Sequence, residues 1–375
     1  MKILYISSQS IERVKAAGVI QLLYTAREFE RKLGKKFFLV VRKITDRSAM
    51  EREGISHFKE SGCPFRARIF FYLFWLPLFL ARHGRSEEKQ VLYCLDWHVA
   101  IAAIFYKLFF GYKIAVEYHD PPFRSWKDWM IAHFCDYLLP TTSAMAEYLS
   151  SVSRGARKKI AVLPNGIDMQ RFAHACSQDE CRNILGLPHD KKIVLYSGNI
   201  VERKGMHVLA DAASFLSNSI LVVFIGGTDE NAIMALRERA KEKKNVLIMG
   251  YRPHEEIPYW MCASDVVVSP NSLDAKTFQD EAAIYWTSPM KIFEYMASRR
   301  PIVASDTPAM RELLNERNAL LVPSDNPKAL AEGIKKILND TDYADRIVKQ
   351  AFDEVQNYTW EKRAEKILAF LQRNC

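Results

Sequence analysis

The sequence has no hydrophobic run long enough to cross a membrane. Its longest, residues 69–81 (IFFYLFWLPLFLA), has 13 residues with Pro77 inside, whereas a spanning helix needs about 20. This run predicts a core helix or a helix at a membrane surface. The first residues (MKILYISS) also lack the apolar stretch of a secretory signal and indicate a buried first strand. We therefore expect a cytoplasmic protein.

Cysteine pairs of the kind that hold zinc or build disulfide frameworks are also missing. The seven cysteines are scattered, and the one close pair, Cys176 and Cys181, has no second pair to complete a zinc site. We expect reduced thiols, as in cytoplasmic proteins. The Asp-x-Asp sequence at Asp340 and Asp342 lies between predicted helices and indicates a helix cap or a solvated turn. We predict no metal site and no cofactor.

Two further classes of protein are disfavoured by missing motifs. No Gly-x-Gly-x-x-Gly loop follows an early strand, which argues against a nicotinamide-dependent dehydrogenase. No helix-turn-helix, zinc-finger or aromatic RNA-binding signature accompanies the basic residues, so we expect no nucleic acid partner.

The positive charge is concentrated in the first half of the chain. The 375 residues carry a net charge of +9, and residues 1–180 contain 27 Lys and Arg against 18 Asp and Glu, whereas the remainder is balanced at 26 against 26. One interpretation is a solvated basic face above a buried helix. The other is a surface that attracts anionic lipid headgroups or a polyanionic partner. The sequence leaves both open.

Strand-like and helix-like segments alternate along the whole chain. Runs such as KILYIS, QVLYCLD and KIAVEYHD are separated by helical stretches, and the pattern restarts with KKIVLYSGN and SILVVFIGGT. Such alternation is typical of an α/β protein with parallel sheets. We predict two Rossmann-like, doubly wound domains, residues 1–172 and 190–357, with a linker at 173–189 and a cleft between them. Ligands of such sheets bind at the carboxyl ends of the strands.

The most informative stretch is residues 288–306 (SPMKIFEYMASRRPIVASD). Thr287 or Ser288 followed by Pro289 predicts a helix start, in which Ser288 and Pro289 supply the N-cap and the first-turn proline. The free N–H groups and the positive dipole end of that helix favour an anion. Glu294, about one and a half turns further on, could accept hydrogen bonds from vicinal hydroxyls, although a lone helical Glu is more often solvent-facing.

A second motif follows the strand KIVLY, in the loop SGNIVERKG at residues 197–205. Gly198 and Gly205 permit a tight loop, and Arg203 with Lys204 could neutralise a diphosphate. Basic pairs in loops are usually only solvated, so this motif alone is weak.

Taken together, these motifs resemble the retaining GT-B glycosyltransferases of glycosyltransferase family 4. The resemblance rests on their order along the chain: VLPNGID (162–168), SGNIVERKG (197–205), GYRPHEEIPYWMCASDVVVSPN (250–271), SPMKIFEYMASRRPIVASD (288–306) and TW (359–360). It covers almost all of the second domain and the first domain more loosely. It implies a GT-B fold in which a C-terminal helix, residues 358–375, crosses back to the first domain.

The resemblance also implies roles for individual residues. Lys204 grips the diphosphate of a nucleotide-sugar donor, Glu294 binds its ribose hydroxyls, and Arg203 replaces a family Arg whose position here is Asn199. His119 stands beside the donor sugar, as a catalytic residue with Lys204 and Arg203. The donor-binding positions implied are Gly18, Gly198, Asn199, Tyr251, Arg252, Ser288, Pro289, Met290, Lys291 and Glu294, where Tyr251 and Arg252 hold the base and Met290 and Lys291 meet phosphate.

This chain departs from the family at position 286, where the first Glu of a Glu-x7-Glu motif is Trp286. In relatives that Glu contacts the donor sugar. Trp can stack on an apolar sugar face or pack, so our hypothesis is a donor sugar that is deoxygenated or less polar there.

The expected activity is transfer of a sugar from a nucleotide-diphosphate sugar to a hydroxyl of a glycan or lipid-linked acceptor, without a metal. The basic half and residues 69–81 favour an enzyme peripheral to the cytoplasmic membrane face. Two alternatives are a sugar-nucleotide epimerase or hydrolase of the same fold and a catalytically weak sugar-nucleotide-binding protein.

Overall fold

Buried apolar strands form two separate parallel sheets, one in each half of the chain. The structure, a computed structural model, describes residues 1–11, 17–61, 76–83, 89–119, 125–173, 176–274 and 276–373. It divides into an N-terminal unit, Met1–Gly166 with Trp360–Cys375, and a C-terminal unit, Ile167–Thr359. Each unit has its own sheet and its own core. The predicted architecture of two doubly wound α/β domains is confirmed.

Six strands build the main sheet of the N-terminal unit, and two short strands pair beside it. They are β1 (Lys2–Ile6), β2 (Ser10–Ile11), β3 (Phe37–Val41), β4 (Lys43–Ile44), β5 (Phe58–Glu60), β6 (Gln90–Cys94), β7 (Lys113–Tyr118) and β8 (Tyr137–Pro140). The main sheet has the order β5-β3-β1-β6-β7-β8, and β2 pairs with β4. All these pairs are parallel. The central strands are almost wholly buried, as expected when both faces of a sheet are covered.

The helices of this unit come from both ends of the chain. They are α1 (Ala17–Leu33), α2 (Arg47–Arg52), α3 (Leu76–His83), α4 (Trp97–Phe110), α5 (Trp126–Phe134), α6 (Ser143–Val152) and the C-terminal α17 (Trp360–Arg373). Helix α17 begins against the chain just before the second unit, since a Cβ atom on Gly166 would lie 2.8 Å from Cδ2 of Trp360. A side chain at position 166 would displace the helix.

A buried ion pair holds α17 to the sheet. The guanidinium of Arg363 donates to the carboxylate of Glu117 on β7, to Oγ1 of Thr25 at 3.3 Å and to the carbonyl of Pro164 at 2.9 Å. Arg363 is only 4% exposed and Glu117 only 2%. Desolvation by itself raises the pKa of Glu117, but Arg363 and His119 outweigh it and hold that pKa well below its ordinary value. The pair is therefore charged on both sides and well hydrogen-bonded, which a buried ion pair needs.

The C-terminal unit repeats the pattern with six parallel strands. They are β9 (Lys192–Ser197), β10 (Ile220–Ile225), β11 (Val246–Gly250), β12 (Val266–Ser269), β13 (Ile302–Ser305) and β14 (Leu320–Val322). Their order is β11-β10-β9-β12-β13-β14. The helices are α7 (Gln170–Ala173), α8 (Gln178–Leu185), α9 (Met206–Ala212), α10 (Glu230–Ala240), α11 (Ile257–Ala263), α12 (Phe278–Tyr285), α13 (Met290–Ala297), α14 (Pro308–Arg311), α15 (Pro327–Asn339) and α16 (Thr341–Val355).

The division between the units lies earlier than the expected boundary at residue 172. It falls after Gly166, and the expected linker, residues 173–189, contains helix α8 of the C-terminal unit. Arg182 of α8 donates to the carbonyl of Ala263 at 3.0 Å and pairs with Asp265 at 2.7 Å. These contacts depend on residues about 80 positions away, so the polar sequence of the segment did not reveal them. The C-terminal segment that joins the N-terminal unit starts at Trp360, two residues after the expected start.

Two local predictions have opposite outcomes. The structure joins Cys176 and Cys181 in a disulfide, so the expectation of reduced thiols is wrong for this pair, which the start of α8 brings together. Asp340 caps α16 by accepting from the backbone N–H of Tyr343 at 3.0 Å, so the predicted cap is confirmed.

Only part of the apolar run at residues 69–81 can be assessed. Residues 69–75 lie outside the described residues, and the run continues as α3 from Leu76, with Pro77 in the first turn. In the described part of the chain, none of the helices combines the length and apolarity that a bilayer span requires.

The Arg363–Glu117 pair provides a test of what holds α17 in place. Replacing Arg363 by Met leaves a buried carboxylate without its partner, and we expect the free energy of unfolding to fall by about 3–5 kcal/mol. The double variant Arg363→Met/Glu117→Gln should lose less, because no charge remains buried. Urea denaturation measures both. The exposed Arg373 on the same helix is the control, and Arg373→Met should change stability by at most about 0.5 kcal/mol. A loss below 1 kcal/mol in Arg363→Met would contradict this view of the pair.

Candidate functional site

The loops after β9 and β12 meet at the centre of the C-terminal sheet. Strand β9 is flanked by β10 on one side and by β12 on the other, so the strand order reverses between β9 and β12. In open parallel sheets, ligands bind outside the carboxyl ends of the strands at such a point. Most of the residues expected to bind a donor follow these strands, at 198–205 and 288–294.

Two glycines let these loops approach closely. Gly205 has a φ of +70°, and a Cβ atom there would lie 1.6 Å from the carbonyl oxygen of Pro270. Gly198 has a φ of +146°, and a Cβ atom there would lie 3.0 Å from the hydroxyl of Tyr196 and 3.8 Å from Cδ of Lys291. Both the backbone conformation and the crowding therefore require glycine. The loop after β9 lies directly against the chain that follows β12 and beside Lys291.

Lys204 and Lys291 form a cationic pair between these segments. Within the described residues, neither ammonium group has a carboxylate at ion-pair distance, and Nζ of Lys291 is buried without a hydrogen-bond partner, 4.6 Å from the centre of the Tyr196 ring. Desolvation and the nearby charge of Arg203 lower the pKa of Lys204 to about 8. Desolvation also lowers the pKa of Lys291 well below its ordinary value, and the charge of Lys204 adds to the effect. The two lysines that the motifs predicted thus lie close together, and their combined positive charge favours an anion.

Helix α13 adds its positive end to this site. Its N-cap is Pro289, with φ −76° and ψ 111°, and no side chain caps the helix. The predicted start, with Ser288 as N-cap and Pro289 in the first turn, is therefore wrong by one residue, because the proline takes an extended conformation. Ser288 and Pro289 are buried, whereas Met290 and Lys291 are partly exposed. Helical N–H groups without a side-chain cap attract an external anion.

Glu294, one turn after Lys291, is held by residues that the sequence analysis did not single out. Oε1 of Glu294 accepts from Nη1 of Arg171 at 3.0 Å and lies 3.9 Å from Nε2 of His254. A second nitrogen of Arg171 donates to the carbonyl of His254. The side chain of Glu294 is 14% exposed, so the interpretation of a solvent-facing glutamate is wrong.

The loop after β11 presents the two residues expected to hold a base. Tyr251 is 43% exposed. The Nε atom of Arg252 is buried and finds no hydrogen-bond partner among the residues described, and the guanidinium lies 5.7 Å from the centre of the Trp260 ring. The segment also contains His254, which links it to Glu294.

Three other residues of the C-terminal unit have predicted roles, Arg203, Asn199 and Trp286, and of these the charge of Arg203 acts on Lys204. Arg203 lines a polar cavity of about 190 Å³, together with Glu202, His207, Ser272, Asp274, Lys276, Thr277 and Asp280. Asn199 is exposed, and its carbonyl accepts from the hydroxyl of Tyr196 at 2.8 Å. Trp286 is partly buried at the end of α12.

In the N-terminal unit, His119 follows β7 as predicted, and the side chains of Glu117 and Gln21 contact its ring. Its Nε2 lies 2.8 Å from Oε1 of Glu117, and Nε2 of Gln21 on α1 also contacts the ring, at 2.6 Å from Nε2. The ring is 20% exposed. The acidic residue two positions before His119 in an otherwise apolar strand was a signal that the sequence analysis did not use.

Gly18, which the resemblance implies as a donor-binding residue, is the second residue of α1, and a Cβ atom there would lie 3.0 Å from Nε2 of Gln9. Residues 12–16 before it, and Asp120 after His119, lie outside the described residues.

Comparison with known proteins matches both units. Residues 177–354 match the family model "Glycosyl transferases group 1" and residues 19–171 match "Glycosyltransferase Family 4". A candidate teichuronic acid biosynthesis glycosyltransferase of Bacillus subtilis is 25% identical over 197 residues, 52% of this chain and 46% of that protein. A D-inositol 3-phosphate glycosyltransferase of Corynebacterium urealyticum is 24% identical over 266 residues, 67% of this chain and 60% of that protein. The matches therefore span about half of the length of these relatives, or somewhat more.

A solved structure shows the same fold along the whole chain. HepE of Anabaena, crystallised in complex with UDP, superimposes with a TM-score of 0.79 at 17% identity, covering 100% of both chains. The two family models account for most of the chain, and the parallel sheets of both units agree with this neighbour. The chain therefore belongs to the GT-B glycosyltransferases of family 4, group 1.

Proposed function

We propose that this glycosyltransferase moves a sugar from a nucleotide-diphosphate sugar to a hydroxyl of a glycan or lipid-linked acceptor, with retention of anomeric configuration. The main supporting observation is the pair of desolvated lysines, Lys204 and Lys291, that lacks an anionic partner within the described residues. A diphosphate supplies the missing negative charge. The uncapped start of α13 offers N–H groups to the same anion.

The names of similar proteins support the proposed class of donor and the proposed class of acceptor. HepE structures hold UDP, UDP with glucose, or UDP-glucose, which favours a nucleotide-sugar donor. One curated relative is named for teichuronic acid biosynthesis and another for transfer to D-inositol 3-phosphate. These names support our proposal that this chain acts in cell-envelope polysaccharide or glycolipid synthesis. The basic first half of the sequence suits an anionic membrane surface on the cytoplasmic side.

The proposed chemistry is electrostatic stabilisation of a leaving diphosphate. The acceptor oxygen attacks the anomeric carbon, the bond from that carbon to the diphosphate breaks, and the acceptor proton passes to the leaving phosphate on the same face of the sugar. Lys204, Lys291 and the start of α13 stabilise the charge that develops on the diphosphate, and Arg203 lies beside Lys204. Hydrogen-bonding groups and charges of the protein that are fixed in place and shielded from water contribute most to such stabilisation. In this proposal the lysines neutralise the charge of the diphosphate, which is the role of a divalent metal ion in other enzymes.

The remaining residues position the donor. Glu294 binds ribose hydroxyls, Tyr251 and Arg252 hold the base, and His119 orients the sugar. Trp286 faces the sugar where relatives have Glu, which favours a less polar donor sugar.

The first test is a thermal-shift screen with UDP-, GDP-, ADP- and dTDP-sugars. A ligand at 100 times its dissociation constant stabilises the native state by about 2.7 kcal/mol, so one nucleotide class should raise the melting temperature clearly. Product analysis with and without acceptor then separates transfer from hydrolysis or epimerisation. If no nucleotide sugar shifts the melting temperature, the proposal is wrong. Preference for an unmodified hexose over its deoxy forms would refute the inference from Trp286.

The lysine pair predicts opposite effects on stability and activity. At pH 7, Lys204→Met should stabilise the ligand-free protein by about 1 kcal/mol or more, because one unit of pKa depression corresponds to about 1.4 kcal/mol. It should also reduce transfer at least about 100-fold, as expected for loss of a charge-stabilising donor. Melting curves and initial rates measure the two effects. Lys335→Met, at an exposed site, should change neither. A destabilised Lys204→Met protein would show that the lysine is structural.

Donor affinity should also depend on pH. A bound diphosphate raises the pKa of Lys204 above its value of about 8 in the free protein, so affinity is complete below pH 8 and falls as the pH rises beyond it, by up to about tenfold per pH unit. Lys291 acts in the same direction, since its pKa is depressed too. Calorimetric titration with UDP between pH 7 and 9.5 measures the fall. Lys204→Arg keeps its charge at these pH values and should show a flatter profile, whereas equal slopes would contradict the role of Lys204.

A further inference from the structure

The carboxylate of Glu294 has one oxygen engaged and one available. Oε1 accepts from Arg171 at 3.0 Å, and Oε2 has no partner among the described residues. Both side chains are largely buried, with 18% of Arg171 and 14% of Glu294 exposed. A largely buried ion pair of this kind fixes the carboxylate in one orientation.

Arg171 also fixes a second element beside Glu294. Its other terminal nitrogen donates to the carbonyl of His254, in the turn His254–Glu256 that follows β11. One guanidinium thus joins α7, α13 and that turn. The imidazole of His254 is held 3.9 Å from Oε1 of Glu294, through its Nε2.

The Nε2 atom of His254 is buried and has no hydrogen-bond partner in the part of the chain that the structure describes. Such atoms are rare and call for an explanation. Desolvation lowers the pKa of His254, and the charge of Arg171 lowers it further, so the ring is neutral at pH 7 and can either accept or donate through Nε2. Nε2 of His254 and Oε1 of Glu294 lie 3.9 Å apart, so both can reach a single hydroxyl oxygen at ordinary hydrogen-bond distances. Oε1 can accept this second hydrogen bond beside the one from Arg171, because a carboxylate oxygen has two lone pairs.

The charge of Glu294 requires compensation as well. Glu294 lies three residues after Lys291 on α13, so the two side chains share one face of the helix. An uncompensated carboxylate there would repel a diphosphate bound at the lysine pair. Arg171 cancels that charge and leaves the hydrogen-bonding capacity of Oε2 intact.

We propose that Arg171 is a positioning residue that orients and neutralises Glu294, and that His254 supplies the second contact, so that the three residues recognise the vicinal hydroxyls of the donor's ribose. This inference rests on the proposed function and adds the residues that make the nucleotide site selective for ribose over 2′-deoxyribose. Arg171 acts through Glu294 and His254 rather than on the donor itself.

The test compares ribose and deoxyribose ligands by calorimetry. The ligands are UDP, GDP and ADP, their 2′-deoxy forms, and inorganic pyrophosphate, which has no ribose. The wild type should prefer the ribonucleotide about tenfold or more, as expected for a hydrogen bond to a charged acceptor. In Arg171→Ala this preference should fall below about threefold, and Arg171→Lys should recover part of it. His254→Ala should also reduce the preference.

Binding of pyrophosphate separates the two effects that Arg171 has on Glu294, neutralising its charge and orienting its carboxylate. Arg171→Ala should bind pyrophosphate severalfold more weakly, because the charge of Glu294 is then unopposed. Adding Glu294→Gln should restore pyrophosphate binding but not the preference for ribose. Failure of this restoration would show that Arg171 supports the site only as a structural element and would overturn the inference.

A matched control comes from Arg182, which forms an ion pair with Asp265 in the same unit that is somewhat more buried, with 7% and 12% of the two side chains exposed. Arg182→Ala should lose stability but keep the wild-type preference for ribose. Full preference in Arg171→Ala would overturn this inference and leave the proposed function intact. A wild type that binds neither pyrophosphate nor any nucleotide would overturn both.

Discussion

The proposed site in the C-terminal unit depends on the ammonium groups of Lys204 and Lys291, which are desolvated and have no carboxylate at ion-pair distance among the described residues. Burying a charge without a partner costs free energy, and the depressed pKa values of Lys204 and Lys291 express that cost. The surrounding structure holds the lysines in place despite it. Gly205 packs on the chain after β12, and the Tyr196 ring lies beside Lys291. A cationic site held in place in this way is what the proposed diphosphate binding and transition-state stabilisation require.

Other buried charged residues of the chain are neutralised by a partner of opposite charge. Arg363 and Glu117 neutralise each other, and additional hydrogen bonds satisfy the guanidinium. That pair joins the last helix to the sheet behind His119, so it connects the integrity of the fold with the position of a proposed site residue. Glu294 is intermediate, because Arg171 engages one of its oxygens and leaves the other available. The degree of compensation thus separates structural charges from those proposed to meet a ligand.

Several parts of the site could be predicted from local sequence, and others could not. The glycines at 198 and 205, the lysines and Glu294 occur in short motifs whose chemistry is legible in the residues themselves. Arg171 and His254 are far from Glu294 in sequence, by 123 residues in the case of Arg171, and no local pattern links them. The start of α13 was misplaced by one residue because a Ser-Pro pair is compatible with two cap registers, and packing selected the one with Pro289 as N-cap.

The sequence alone determined the two doubly wound α/β units, because buried parallel strands and their covering helices have distinct hydrophobic periods. It also determined which residue types could bind a diphosphate. Only the tertiary structure decided where the units divide, that α8 belongs to the second unit, and that Cys176 and Cys181 are joined. It alone decided which charges are paired, because ion pairs and desolvation arise between segments that are distant in the chain. The sequence motifs indicate Lys204 and Lys291 as phosphate-binding candidates, but only the fold shows that the two lysines lie close together and are desolvated.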